Sequence, residues 1–258
     1  MISDGPAGKS KLNLNVADQS VGKTLATRSP ESVSLSDHHA LAPQDRALAA
    51  WEIASIASSM LIAEWVVLSV ARGSKLMIVV PVTLAFALMI FSHRVRGESA
   101  RELGLRLDNF LPCVRLLLVP MLLTTIVCIG FGWSNGSLNF NRWRGGQSIL
   151  GIPALGILWG LLQQYVLQGF INRRAQIIWG RGARSVLLVA LMFAVLHLPN
   201  PWLAAATFAG GAVWAAVYQR APNLLALALS HGLMTFVLVS TLPAHALHGL
   251  RVGFKYFG

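Results

Sequence analysis

Acidic residues run out early in this chain of 258 residues. Ten are present, namely Asp4, Asp18, Glu31, Asp37, Asp45, Glu52, Glu64, Glu98, Glu102 and Asp108, and none follows Asp108. Any carboxylate chemistry must therefore come from the first half. Charge of either sign is scarce: 12% of residues are charged, against about 25% in a soluble domain. The mean hydropathy is +0.60. These values exclude a disordered chain and an ordinary water-soluble enzyme. Cysteine is nearly absent too. Cys113 and Cys128 share one apolar run, and as a helix that run would hold them about 22 Å apart, too far for a disulfide. Residues 1–45 lack the apolar core of about 7–15 residues that a signal peptide needs. They are rich in Ser, Ala and Asp and read as a disordered cytoplasmic tail.

What the chain has instead is apolar runs long enough to cross a bilayer, which takes about 20 residues per helix. They cover Ala47–Val70, Leu76–Ser92, Phe110–Trp133, Ile149–Ile171, Arg184–Leu198, Trp202–Tyr218 and Leu224–Leu242. The expectation is an all-α polytopic membrane protein of about seven spans, its transmembrane domain filling residues 46–242. Residues 243–258 form a short, broken C-terminal tail, and an eighth span there stays open. The fifth run is short, and either extends backward through Gln176–Trp179 or tilts little.

The net charge of +11 and pI near 10.8 come from Arg and Lys between the runs, so they set topology and do not bind nucleic acid. Placing the N-terminus in the cytoplasm puts Arg94, Arg96, Arg101, Arg106, Arg173, Arg174, Arg181, Arg184 and Arg220 on that side. Arg72, Lys75, Arg142, Arg144, Arg251 and Lys255 fall on the other. The first set is larger, so the expectation is a plasma (inner) membrane protein with its N-terminus inside. The segment Glu98–Leu107 reads as an interfacial stretch. Gly156-x-x-x-Gly160 and Gly210-Gly211 read as close helix contacts. Leu198-Pro-Asn-Pro201 ends the fifth run abruptly.

Polar residues inside apolar spans are expensive and mark function. Three clusters stand out: Gln163, Gln164 and Gln168 in the fourth run, Phe193 to His197 in the fifth, and His231 to Thr235 in the seventh. Gln164/Gln168, Phe193/His197 and His231/Thr235 are each four apart, so each pair shares a helix face. Counted from the cytoplasmic ends of their runs, Gln163 and His231 lie roughly 12 Å deep and His197 about 20 Å. One cavity can hold all three.

The order of these motifs resembles the CAAX protease and bacteriocin-processing (abortive infection) family of intramembrane endopeptidases. That family carries Glu-Glu-x-x-x-Arg on one membrane helix, Phe-x-x-x-His on the next, and His-x-x-x-Asn two helices later. The resemblance covers about residues 98–240, including the Glu102-Leu-Gly-Leu-Arg106 run ahead of the third span. It implies a membrane-embedded peptide hydrolase acting on a membrane-associated or lipidated protein, with no cofactor and no resident metal. By resemblance, the first glutamate is the general base, and the histidines and asparagine hold the water and the oxyanion.

Carried over, His197 and His231 keep their places. Gln163 and Gln164 stand at the two glutamates, Gln168 at the arginine and Thr235 at the asparagine. A carboxamide accepts no proton near neutral pH, so Gln163 is no base. Loss of the arginine is coherent, since a buried cation without its acid is uncompensated. Two residue types remain to supply a base. Glu64 sits mid-span, as a transplanted base or as a protonated, hydrogen-bonded structural acid; alternatively, His197 or His231 takes the proton. A catalytic zinc needs three protein ligands where two histidines are present, and a haem would have only this one pair. Two functions stay open: an endopeptidase, and a non-catalytic membrane protein that binds a peptide, lipid or partner in the same cavity.

Overall fold

The computed structural model describes residues 43–67, 75–143 and 151–257. The expected disordered tail therefore lies, up to residue 42, outside the described residues. Among the described residues the chain is helix and turn, without strand. Helix α1 (Pro43–Ile62) starts on a proline inside the expected tail and runs on into a π-turn at Ala63–Val67. Next come α2 (Lys75–Val95) and α3 (Phe110–Ser134). Helix α4 (Gly151–Gln164), a π-wound segment (Tyr165–Asn172) and α5 (Arg173–Trp179) follow as one unbroken rod. Helices α6 (Ala183–Val195), α7 (Pro201–Arg220) and α8 (Leu224–Thr241) complete the bundle.

Each expected span falls on one of these rods. Pro43–Val67, Phe110–Ser134 and Leu224–Thr241 are long and apolar enough to cross a membrane, and Val79–Val95 and Ala183–Val195 are shorter apolar helices. On α2 and α3 the outward positions are apolar: Leu84, Leu88, Phe91, Leu122, Ile126 and Val127 are all exposed. Such surfaces suit hydrocarbon, because the helices satisfy their own backbone groups.

The fifth run does not extend backward. Residues 176–179 finish the preceding rod, and Gly180 and Gly182, at φ 75° and 137°, break the chain before α6. Beyond α6, Asn200 restarts the helix: its side-chain oxygen accepts from Leu203 N–H at 3.1 Å, with Pro201 at the first helical position. Asn223 does the same for α8, accepting from Ala226 N–H at 2.9 Å.

Two close approaches set the bundle. A Cβ added at Gly160 would lie 3.1 Å from the Ala228 carbonyl oxygen and 3.2 Å from His231 Cβ, so α4 packs backbone-close on α8. At Gly211 it would meet Ala190 Cα at 3.2 Å and Phe193 at 3.3 Å, which joins α7 to α6. Small residues permit such contact where no hydrophobic force operates between helices in lipid.

The Glu98–Leu107 stretch clasps the α7–α8 turn. Tyr218 Oη–H donates to Leu103 O at 2.9 Å, Leu224 N–H to Gly104 O at 2.9 Å and the Asn223 carboxamide to Arg106 O at 2.7 Å. Residues 243–257 form a short helix, α9 (Ala244–Leu247), followed by 3₁₀ turns at His248–Leu250 and Gly253–Tyr256. They fold back on the α6–α7 corner, where Asn200 donates to Leu247 O at 2.9 Å and Gly253 N–H donates to Leu198 O at 2.9 Å.

Candidate functional site

The α4–π–α5 rod presents Gln164, Gln168, Asn172 and Gln176 at a constant step of four. The rod is π-wound over Tyr165–Asn172, and there, as in an α-helix, a step of four keeps residues on one face. Gln164, Gln168 and Asn172 have no exposed surface. Buried carboxamides need partners, and here they find each other. Gln176 donates to Asn172 Oδ1 at 3.1 Å, and Asn172 donates to Gln168 Oε1 at 2.8 Å. From α7, Gln219 also donates to Asn172 Oδ1, at 3.0 Å.

At the other end of the rod, Gln164 Nε2 lies 3.2 Å from His231 Nδ1 on α8. A carboxamide nitrogen only donates, so Nδ1 accepts and the neutral ring carries its proton on Nε2. The His231 ring stacks on Trp214, centroids 4.7 Å apart and planes 10° from parallel. Trp214 is itself fixed by donating Nε1–H to Ser230 Oγ at 2.8 Å.

His197, two residues past the end of α6, is the opposite tautomer. Its Nδ1 lies 2.8 Å from Phe193 O. A carbonyl only accepts, so Nδ1 holds the proton and Nε2 keeps its lone pair. The buried Phe193 ring packs edge-on against both imidazoles, at 4.8 Å to His197 and 5.8 Å to His231. The imidazole centroids are therefore no farther apart than those two legs together. One aromatic ring separates a hydrogen-bond acceptor from a hydrogen-bond donor.

The structure thus brings Gln164, Phe193, His197 and His231 together, with Gln168 one turn along. Gln163 is half-buried beside them, and no hydrogen bond joins it to the group among the described residues. The Thr235 hydroxyl is spent on its own helix, donating to His231 O at 3.0 Å. Glu64 sits on the π-turn after α1. The Gly253 backbone packs against it, and its Oε1 is buried without a partner. Among the described residues no three of His, Cys, Asp or Glu gather as metal ligands, and both cysteines are free thiols.

The charged residues assemble elsewhere, at the end of the bundle nearest α5. Arg174, fully buried, makes ion pairs of 2.8 Å with both Glu52 and Glu98. Glu98 also pairs with Arg173 at 2.8 Å and meets His93 Nδ1 at 2.6 Å; Arg96 pairs with Glu52 at 2.9 Å. Burial alone would raise the Glu98 carboxyl, but the His93 hydrogen bond and the charges of Arg174 and Arg173 pull it down to about 2. Phe170 backs the Arg174 guanidinium at 4.8 Å. In the sequence these arginines read only as topology signals. The amide step of four from Gln164 to Gln176 was open to view and would have drawn Asn172 into the site. Trp214 and Ser230 left no such mark.

Residues 145–237 match the family model described as Type II CAAX prenyl endopeptidase Rce1-like. The matched stretch contains Gln164, Gln168, His197 and His231, so it takes in all three motifs that carry the resemblance. No curated protein and no solved structure matches the chain.

Proposed function

We propose that this is a membrane protein of the CAAX-protease type whose site binds a peptide-like ligand without hydrolysing it. The observation that supports this reading is the Gln164–His231 hydrogen bond: a neutral donor occupies one of the positions where the family carries glutamate. Water attack on an amide needs a base to take the proton, typically worth about 10²–10⁴-fold, and among the described residues no carboxylate belongs to the Gln164–His197–His231 group. What remains is an acceptor on His197 and a donor on His231, complementary to the N–H and C=O of an amide. The ligand class is a membrane-associated or lipidated peptide. The test is proteolysis of a panel of hydrophobic peptides by purified protein, read by mass spectrometry alongside equilibrium binding. Binding without products is expected; cleavage by the parent overturns the reading.

A second reading has one observation in its favour. With Nδ1–H held by Phe193 O, His197 Nε2 is unprotonated and is the group able to act as base. In that case the parent cleaves, and His197→Ala abolishes cleavage while Glu64→Gln does not. We place the N-terminus and the Arg173–Arg184 corner in the cytoplasm of a plasma (inner) membrane, from the arginine distribution. A cysteine replacing Arg181 should then resist impermeant reagents added to intact cells.

A further inference from the structure

The carboxamide ladder runs in one direction. Gly182 N–H donates to Gln219 Oε1 at 2.8 Å, Gln219 donates to Asn172 at 3.0 Å, and Asn172 donates to Gln168 at 2.8 Å. Beyond one further step, Gln164 donates to His231 Nδ1 at 3.2 Å. That intermediate step is not closed by a direct hydrogen bond. Gln168 Nε2, a donor, and Gln164 Oε1, an acceptor, are both buried and both without a protein partner. They belong to consecutive members of the ladder, and each lacks what the other offers.

We infer that an ordered water bridges Gln168 Nε2 and Gln164 Oε1, and that the completed chain holds His231 as the Nε2–H tautomer, a donor to a ligand oxygen. The inference deepens the binding reading above and rests on it. Two buried carboxamide groups without a protein partner call for one, and a water accepting from one and donating to the other satisfies both. Buried waters of this kind are part of native structures. The direction matters as much as the occupancy. A water fixed by Gln168 offers its proton to Gln164, so the oxygen of that carboxamide turns toward the water and its NH₂ toward His231. Hydrogen bonds that all point one way polarise each other. Without the chain, Gln164 is free to rotate and present its oxygen to a protonated Nδ1. Gln168, Asn172 and Gln219 are then positioning residues that act on the imidazole through water and Gln164. The ligand group this selects is an uncharged carbonyl, which accepts from His231 Nε2–H. Among the described residues a ligand carboxylate finds no free cation beside this group, because Gln168 stands where an arginine would be and Arg173 and Arg174 are held by Glu98 and Glu52.

The experiment is ¹⁵N NMR of full-length protein in lipid, with labelled histidine and glutamine. Two observables are read: the His231 tautomer, and magnetisation transfer from water to the Gln164 and Gln168 side chains. In the parent, His231 should show a bare Nδ1 and a protonated Nε2 as a single species, and both carboxamides should receive water magnetisation. Gln168→Met keeps the length and removes the donor. It should lose the water transfer at Gln164 and bring up a second signal set for the Nδ1–H tautomer. Gln219→Leu, remote from the imidazole, should shift the population in the same direction by less. A parent with His231 protonated on Nδ1, or without water contact at Gln164, overturns the inference, and neither result needs a variant to fold. Peptide cleavage by the same preparation would sink the binding reading and leave the tautomer result standing, so the two failures are distinct.

Discussion

Arg174 Nη1 lies 2.8 Å from Glu98 Oε2, and the guanidinium, wholly buried, ties α5 to the segment that follows α2. Glu52 completes the grip from α1. A buried cation left without its acids is far more costly than an exposed one, and breaking such a pair typically costs about 3–5 kcal/mol. Arg174→Met removes the charge along with its hydrogen bonds, whereas Glu98→Gln takes the acid from Arg173 and leaves buried Arg174 with Glu52 alone. The second change should be the more damaging, even though it alters fewer atoms. Thermal unfolding in detergent, comparing the two variants with the parent, checks the order. A double variant, Arg174→Met with Glu98→Gln, should lose less than the two single losses added together.

The same pair predicts a pH response. The Glu98 carboxyl sits at about 2 in the fold, below its unfolded value, so the fold favours the ionised form. Its contribution is fully present above about pH 4.5, the unfolded value, and is lost as the pH falls through about 2. Stability of the parent should therefore decline across that window, while Glu98→Gln starts lower and declines less. Melting temperatures taken at pH 7, 4.5 and 3 decide the matter; parallel curves would show that Glu98 is not the responding group.

Gly160 supplies a packing test. A β-carbon there would press on the Ala228 carbonyl and on His231 Cβ, at 3.1 and 3.2 Å. The neighbours are a helix backbone and the root of a ring, and neither yields easily. Gly160→Ala should cost roughly 1–3 kcal/mol, the usual range for overpacking, and should push His231 away from Gln164. At Gly156 an added Cβ meets nothing within 4 Å, so Gly156→Ala is the control and should be near neutral. Unfolding measurements on both variants separate a close helix contact from a general intolerance of substitution.

Gly160 was readable in the sequence, because small residues at a step of four announce close packing. The helical rods and the grouping of Gln164, His197 and His231 were readable for similar reasons: apolar length and a shared step. The destination of the charges was not. Glu52 and Glu98 are separated from Arg174 by more than seventy residues of chain, and in sequence each looked like a residue at a helix end. The π-winding after Gln164 was also hidden, since it adds no distinctive residue type. It changes which positions align beyond Gln164, along Gln168 and Asn172. The backward extension of the fifth run failed because two glycines in left-handed conformation outweighed the apolar residues before them.

The chemistry itself can be tested by restoring what the family carries. A single Gln164→Glu places a carboxylate against His231 with no cation in reach, and burial then drives it toward its neutral form. As a protonated acid it accepts no proton from water, so activity should not appear. Adding Gln163→Glu and Gln168→Arg supplies both acids and a counter-charge on the same rod. The arginine would also displace the carboxamide that Asn172 now holds at 2.8 Å, so Asn172 must re-pair with it for the variant to fold. If the scaffold is otherwise intact, the triple variant should gain peptidase activity, on the order of the 10²–10⁴-fold that a general base contributes. Gln163→Ala should change little in the parent, since that side chain takes no part in the buried hydrogen bonds. A triple variant that folds, binds the same peptides and still cleaves none would show that the fold has lost more than its base. Cleavage by the parent that disappears in His197→Ala would assign the base to the histidine instead.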